Sequence, residues 1–374
     1  MSAIVFWCAL ALIGYAYVLY PSLVLVAARR FGRAPRSAAG TPSLTVVIAA
    51  FNESRRIGAR VRDVLAQDYP RERLQVIVVD DGSEDGTAKA ADVGDPRVRV
   101  IALSRNGGKA AALAMAIPAS STDIIAFADA RQRFAPQALR KLVEPFADPR
   151  VGAVSGELVI ESAPGAAADI GLYWRMEKAL REGEARLGWQ HGVSGAIHAL
   201  RRELAQAPPP GTILDDMYLP LAVVFAGKRV VMAREAIALD RASADAWEEF
   251  RRKLRTLAGN WQLIARMPRL IHPFANPVFF AWFSHKFLRL IVPWALLAML
   301  IACAFAWRQS FYRAALLVQL AGYAGAAFAL LRPRLGARIP LLRTIGSFAM
   351  LNAAALLSLP ACLALDPRGL WKSH

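Results

Sequence analysis

The chain has 374 residues, of which 56% are hydrophobic and 20% charged, with a mean hydropathy of +0.32. That length can hold one sizeable domain and more, and the balance argues against both a wholly soluble and an all-membrane protein, leaving a mosaic of the two. The net charge of +17 fits a cytoplasmic membrane face, where Lys and Arg concentrate; no basic module with interleaved aromatics is present, so no nucleic-acid partner is expected.

No charged side chain precedes Arg29, and residues 3–28 are long enough to span a bilayer, which takes about 20 residues. A cleaved signal peptide would carry its positive charges first, whereas here Arg29, Arg30, Arg33 and Arg36 come afterwards. The positive-inside rule then places residue 30 onward in the cytoplasm, with residues 1–30 as a transmembrane helix and 31–43 as a linker. From Leu44 the pattern alternates short apolar runs with amphipathic stretches. Strands are predicted at Leu44–Ala50, Leu74–Asp80, Val98–Leu103, Asp123–Asp129 and Val151–Ile160. Helices are predicted at Ile57–Gln67, Thr87–Val93, Lys109–Ile117, Pro136–Phe146, with Pro in its first turn, and Ala167–Leu187. Strands alternating with helices give an α/β fold with a mostly parallel central sheet over residues 44–245.

Residues 246–286, assigned to interface helices, open with a basic amphipathic stretch over 246–272, which reads equally as a membrane-interface segment or as a solvated helix packing on the domain. About three further apolar spans follow within 287–374, near 288–307, 314–331 and 344–365. The basic segment from Arg332 to Arg338 is cytoplasmic on the same rule. Ser358 and Pro360 leave the last span open to a re-entrant reading. Cys8, Cys303 and Cys362 all lie in apolar segments and read as small hydrophobes.

The chemistry gathers at the strand ends. Val76 to Val79 lead into Asp80 and Asp81, followed by a Gly-Ser turn and Thr87 as a helix start. In an open α/β sheet, ligands sit at the carboxyl ends of the strands. Adjacent acids there need a bonding partner such as ribose hydroxyls, a base N–H or a metal; an ordinary acidic turn is the competing reading. The first strand ends in Phe51, Asn52 and Glu53, which can stack and bond a base or ribose. The third leads through Arg105-Asn106-Gly107-Gly108 to Lys109, suited to a pyrophosphate, and the fourth delivers Asp129. Four such strand tips at one edge favour a ligand site over chance.

On these residues the sequence resembles a family-2 glycosyltransferase of the membrane-anchored, GT-A, cellulose-synthase- or hyaluronan-synthase-like kind, from about Ser43 to Arg266. The resemblance implies a Rossmann-like GT-A domain flanked by transmembrane helices. It implies Phe51, Asn52, Glu53, Asp80, Asp81, Lys109 and Arg255 on the nucleotide sugar. Asp129 would sit on a divalent cation (Mg²⁺ or Mn²⁺), with Ser194, Gly195 and Trp261 toward the acceptor. Asp216, or its neighbour Asp215, would be the catalytic base. The expected partners are a nucleotide-sugar donor (a UDP-sugar), a glycan or lipid-linked acceptor, membrane lipids and subunits of a polysaccharide-synthesis complex. The expected location is the inner (plasma) membrane, multi-pass, with the catalytic domain cytoplasmic.

Two departures stand out. The family's Asp-X-Asp reads Asp129-Ala130-Arg131, so Arg131 replaces the second acid; a direct phosphate contact by Arg131, or His191 as a second ligand, would compensate. The Gln-X-X-Arg-Trp motif of processive synthases keeps only Arg255, with Trp261 six residues on. Inverting sugar transfer is the leading reading. A non-catalytic membrane scaffold of the same fold is the alternative. A channel or transporter is disfavoured, because no acidic or basic residue is expected at the middle of a span.

Overall fold

The computed structural model describes residues 1–161, 172–241, 246–336 and 339–364. The predicted helix residues 167–171, the last two residues of the basic segment from Arg332 and the C-terminal His374 lie outside these ranges. In chain order the elements are α1 (Ser2–Phe31), β1 (Leu44–Ala50), α2 (Ser54–Leu65), β2 (Leu74–Asp80), α3 (Thr87–Ala91), β3 (Val98–Ala102), α4 (Lys109–Ala119), β4 (Ile124–Asp129), β5 (Arg133–Phe134), α5 (Ala138–Val143), β6 (Val151–Glu161), α6 (Leu172–Leu187), β7 (Ile197–Arg201), α7 (Asp215–Phe225), β8 (Arg229–Arg241) and α8 (Ala246–Arg266). Three long apolar helices complete the described chain: α9 (Phe279–Phe305), α10 (Ser310–Leu331) and α11 (Pro340–Ala364).

The eight strands form one sheet in the order β3-β2-β1-β4-β7-β6-β8-β5. β3, β2, β1 and β4 are parallel, β7 runs antiparallel to both β4 and β6, and β6 pairs β8 in parallel. The chain steps outward from β1 to β2 and β3, then returns to place β4 on the other side of β1. That reversal opens a crevice at the carboxyl ends of β1, β2 and β4. The continuous apolar runs are explained by burial on both faces. Val46, Ile48, Val76 and Val78 pack under α2 and α5, while Val47, Ile77, Val79 and Phe127 pack under α4, α7 and α8. The helix after β5 starts at Ala138 and not at Pro136, because the Pro136 carbonyl accepts the Asp68 N–H (2.9 Å) and is held outside it.

Residues 32–43 lie along the domain. Arg33 N–H bonds the Arg186 carbonyl at the end of α6 (2.8 Å), and the Tyr69 hydroxyl bonds the Pro42 carbonyl (2.5 Å). Among the described residues four helices, α1, α9, α10 and α11, are long and apolar enough to cross a membrane. The second of them begins at Phe279, earlier than the sequence suggests, so His285, Lys286 and Arg289 fall within its length. His285 and Lys286 lie ahead of the span expected near 288–307 and Arg289 at its start, and all three fall inside the observed helix. α11 runs as one helix through Pro360.

One glycine is fixed by the crevice geometry. Gly82 has φ +71°, and a Cβ there would lie 2.5 Å from the Arg105 carbonyl carbon and 2.7 Å from Asn106 N. Gly82→Ala combines left-handed strain with a backbone clash, each worth about 1–3 kcal/mol. We expect a lower thermal unfolding midpoint together with weakened nucleotide binding, measured on the purified full-length protein. An unchanged midpoint would mean that the turns after β2 and β3 are not in contact.

Candidate active site

Strand register sets the first positions. Ala50 pairs with Asp80 on one side of β1, and Ala49 pairs with Asp129 on the other. Beyond β1 the chain turns through Asn52, which adopts φ +54°. Its N–H donates to Ser83 Oγ (2.9 Å), and its side-chain oxygen accepts the Glu84 N–H (3.3 Å). The Glu53 N–H donates to Thr87 Oγ1 (2.8 Å). The turns after β1 and β2 are thus one hydrogen-bonded unit. Phe51 is half-buried beside it, and the Glu53 carboxylate meets Arg56 at 3.3 Å.

Asp80 and Asp81 play different parts. Asp80 Oδ1 accepts the Ser83 N–H (3.1 Å) and the Ser83 hydroxyl. Asp81 spends both oxygens on the glycine loop: Oδ1 accepts the Gly107 N–H (2.9 Å) and Oδ2 the Gly108 N–H (2.8 Å). Burial pushes the Asp81 carboxyl above its usual range, and these two amides counter it only partly. Asp81 therefore anchors the loop that starts α4.

Lys109 is the first residue of α4 and the hub of the crevice. Its Nζ lies 3.0 Å from Asp129 Oδ1 and 3.0 Å from Asp215 Oδ2, the latter an ion pair off the hydrogen-bonding direction. Burial works against the ammonium, yet Asp129, Asp215 and Asp216 outweigh it and hold its pKa above the ordinary value. The Asp129 side chain is 37% exposed, so part of its carboxylate still faces the crevice.

Asp215 and Asp216 open α7, where a helix N-terminus favours negative charge. Desolvation and the adjacent Asp215 nevertheless push the Asp216 carboxyl up to about 6, against the pull of Lys109. The loop carrying Ser194 and Gly195 lies against this carboxylate. The Val193 N–H bonds the Asp216 carbonyl (2.9 Å), and a Cβ on Gly195 would come within 3.5 Å of Asp216 Oδ2. Gly195 thereby leaves the acid open on one side.

The remaining sequence-predicted residues divide. Arg255 is half-buried on α8, one turn before Gly259, which packs on Ile213 and Leu214 just ahead of Asp215. Gln262 and Arg266 lie farther along the same face and bond residues 209–213. Trp261 is turned elsewhere: its indole N–H donates to Ser358 of α11 (2.9 Å) and its ring meets Phe287 edge-on, which commits it to the helix bundle. Arg131 is 2.5 Å from Asp240 of β8, a carboxylate that also accepts from Gln132. Its Nη2 is held by a buried acid, while the side chain as a whole stays 41% exposed. His191 joins Glu184 and His285 in a separate buried group, so it is not the missing partner of Asp129.

Sequence reasoning missed the support of the loop that carries Ser194 and Gly195. Ser155 on β6 accepts the Ser194 N–H (2.9 Å), and His198 Nδ1 bonds the Ser194 carbonyl (2.9 Å) while its ring stacks on Phe127. Burial lowers the His198 pKa to about 4, so it is neutral and donates through Nδ1. Both contacts depend on antiparallel strands joined across the sheet, for which no local motif exists.

A crevice at the switch point of this sheet, lined by acids, a lysine and a second acidic pair on a helix start, defines a GT-A glycosyltransferase. Residues 45–207 match the family described as Glycosyl transferase family 2. The chain is 37% identical over 123 residues to an N-acetylglucosaminyltransferase of Bradyrhizobium elkanii, covering 32% of this chain and 67% of that one. It is 30% identical over 219 residues to an N-acetylglucosaminyltransferase of Rhizobium meliloti (strain 1021), covering 52% of this chain and 50% of that protein. It thus spans about half the length of the latter. Among solved structures it is similar to a mannosyltransferase from Pyrobaculum calidifontis in complex with GDP-Man and Mn²⁺, at 25% identity, TM-score 0.73, and 96% and 99% coverage of the two chains. The chain belongs to glycosyl transferase family 2 and is a membrane glycosyltransferase.

The anchoring of the glycine loop is testable. Asp81→Asn keeps the shape but sets an amide NH₂ against the N–H of Gly107 or Gly108, leaving a donor facing a donor. Calorimetry should show nucleoside-diphosphate affinity falling about tenfold, since one lost charged hydrogen bond is worth about 1.5–3 kcal/mol. Unaltered affinity would remove Asp81 from the positioning of Lys109.

Proposed function

We propose that the protein transfers a sugar, with inversion at the anomeric carbon, from a nucleotide-sugar donor to a glycan or lipid-linked acceptor in cell-envelope or exopolysaccharide synthesis. The observation that carries this reading is the Lys109 bridge between Asp129 and Asp215, with Asp216 beside Gly195. It sets a diphosphate-binding charge next to a carboxylate of raised pKa. Asp80, with Oδ1 on Ser83, and the Phe51–Glu53 turn are assigned to the nucleoside. A UDP-sugar is the proposed donor, and the relatives named N-acetylglucosaminyltransferase support an N-acetylhexosamine. A donor panel that includes GDP-mannose tests this choice.

Asp216 acts as general base. The acceptor hydroxyl gives its proton to Asp216 as its oxygen bonds the anomeric carbon, and the bond from that carbon to the diphosphate oxygen breaks. Lys109 meets the departing diphosphate as a point charge, and Arg255, on the α8 face that packs beside Leu214, is assigned to the same charge. Asp129 supplies one carboxylate, so the donor set is all oxygen and suits Mg²⁺ or Mn²⁺ completed by substrate phosphate oxygens. Such an ion, when bound, neutralises charge on the leaving group. With Asp129 and Asp215 paired to Lys109, the reading assigns one base and no nucleophile among the described residues, which is a single displacement.

Arg131 in place of an acid favours a second reading, a scaffold that binds nucleotide without turnover. Release of nucleoside diphosphate from a donor by the wild type decides between the two. Asp216→Asn should lower turnover by about two to four powers of ten with donor affinity nearly unchanged. Asp129→Asn should lower Mn²⁺-dependent diphosphate binding and turnover together. Because Asp216 must be ionised to accept a proton, its raised pKa places the acid limb of the pH–rate profile near 6. Below that pH the rate should fall about tenfold per unit. A limb near 4, or one that persists in Asp216→Asn, would assign the base elsewhere.

The inner membrane with a cytoplasmic catalytic domain is proposed from Arg29, Arg30, Arg33 and Arg36 after α1. Glu84 is exposed near the crevice. In a background lacking Cys8, Cys303 and Cys362, Glu84→Cys should resist an impermeant thiol reagent in intact cells and react after lysis. Labelling in intact cells would reverse the orientation.

A further inference from the structure

Away from the sheet edge, three side chains from separate parts of the chain converge. Glu184 lies in α6, His191 in the segment before the loop of Ser194 and Gly195, and His285 in the π-helical turn Phe283–Phe287 of α9. They are 1%, 2% and 0% exposed. One donor atom from each lies within 4.8 Å of the others.

The hydrogen bonds around the group fix which atoms it offers. His191 Nδ1 is 3.2 Å from the Trp189 carbonyl, which can only accept, so Nδ1 carries the hydrogen and Nε2 has a bare lone pair. His285 Nε2 is 2.8 Å from Glu177 Oε1, so its N–H points there, and Nδ1 faces Glu184 at 2.8 and 3.0 Å. Glu177 is held from its other oxygen by Arg289 (2.6 Å), and the Tyr20 hydroxyl of α1 donates to Glu184 Oε1 (2.6 Å). Each imidazole thus has its outward nitrogen on a carbonyl or carboxylate; the other nitrogen of His191 carries no hydrogen, and that of His285 is free for an ion once the proton it shares with Glu184 leaves. That is the outer-shell pattern of metal-ligating histidines. A cation at the group would take both the His191 Nε2 lone pair and the Glu184 carboxylate, which lie within 4.8 Å of one another.

We infer that Glu184, His191 and His285 bind a zinc-class divalent cation. Two imidazoles and one carboxylate favour Zn²⁺ over Mg²⁺ or Mn²⁺, which prefer oxygen. Ligand bonds of about 2.0–2.2 Å set the ligand atoms roughly 3.4 Å apart around a tetrahedral ion, so His285 Nδ1 and Glu184, now 2.8 Å apart, open by about half an ångström while His191 closes on them. The ion takes the place of the proton between His285 and Glu184, so the local charge rises by one. It ties α9 and α6 to the segment that leads into Ser194 and Gly195, with α1 held through Tyr20. This site is separate from the oxygen-only cation position at Asp129 and does not depend on the transferase reading.

The test uses full-length protein in nanodiscs with any affinity tag removed, equilibrated with Zn²⁺ and then desalted. Elemental analysis should find about one zinc per chain in wild type and in Asp129→Asn, and less than a tenth in His191→Ala and His285→Ala. Glu177→Gln should keep the stoichiometry but lose zinc to chelator at about 10- to 100-fold lower concentration. Co²⁺ loading of wild type should give the visible absorption of a low-coordinate nitrogen–oxygen site, a readout that needs no variant to fold. Wild type without zinc, or zinc retained equally in folded His191→Ala, would overturn the inference and leave His285 as an imidazolium bridging two glutamates.

Discussion

The crevice depends on one ammonium group. Lys109 sits between Asp129 and Asp215 with Asp216 close by, and three carboxylates cannot share a buried edge without it. Its placement is determined upstream. Lys109 begins α4 directly after Gly108, Gly108 and Gly107 are pinned by Asp81, and Asp81 follows the end of β2. A buried strand, a fixed loop and a helix start therefore deliver a single charge with little freedom. The same charge leaves the two acids of α7 unequal. Asp215 is paired with it, while Asp216 keeps a raised pKa. A paired acid serves binding and an acid of raised pKa serves proton transfer.

The membrane helices are joined to this domain by polar contacts as well as apolar ones. Tyr20 of α1 bonds Glu184 of α6, Trp261 of α8 bonds Ser358 of α11, and Arg289 of α9 bonds Glu177. Such bonds are directional, so they fix the angle at which helices leave the domain in a way that apolar contact alone does not. α8 contributes on both sides: one face holds residues 209–214 ahead of Asp215, and Trp261 faces the bundle. The start of α7, with Asp215 and Asp216, is therefore placed by a helix that is itself docked on a membrane-length helix.

The sequence made the parallel half of the sheet legible for a physical reason. Strands buried on both faces must be continuous apolar runs, and β1, β2 and β4 are such runs, each ending in residues that a core would not tolerate. Asp80, Asp81, Lys109 and Asp129 could be read as one site because parallel topology brings successive strand ends to one edge. What could not be read depends on long-range pairing. Arg131 meets Asp240 across 109 positions, His285 meets Glu184 across 101, and Trp261 meets Ser358 across 97. For Arg131 and Trp261 the local motif suggested a ligand contact, and a distant partner holds the side chain; for His285 the sequence carried no motif.

Arg131 shows how the departure from two metal acids fits the fold. Asp240 is 5% exposed, and a buried carboxylate left without a cation would be strongly destabilising. Arg131 and Gln132 both donate to it, so the turn after β4 is fastened to β8 at the point where a second acid would otherwise stand. An acid at 131 would place like charge beside Asp240 and release that turn. The arrangement therefore exchanges a cation ligand for a structural clamp, and in the proposed mechanism the ion has one protein carboxylate and depends on the donor's phosphate oxygens for the rest. In that mechanism a cation held by one carboxylate would arrive with the nucleotide sugar. Lys109, already paired with Asp129, keeps the edge neutralised until it does.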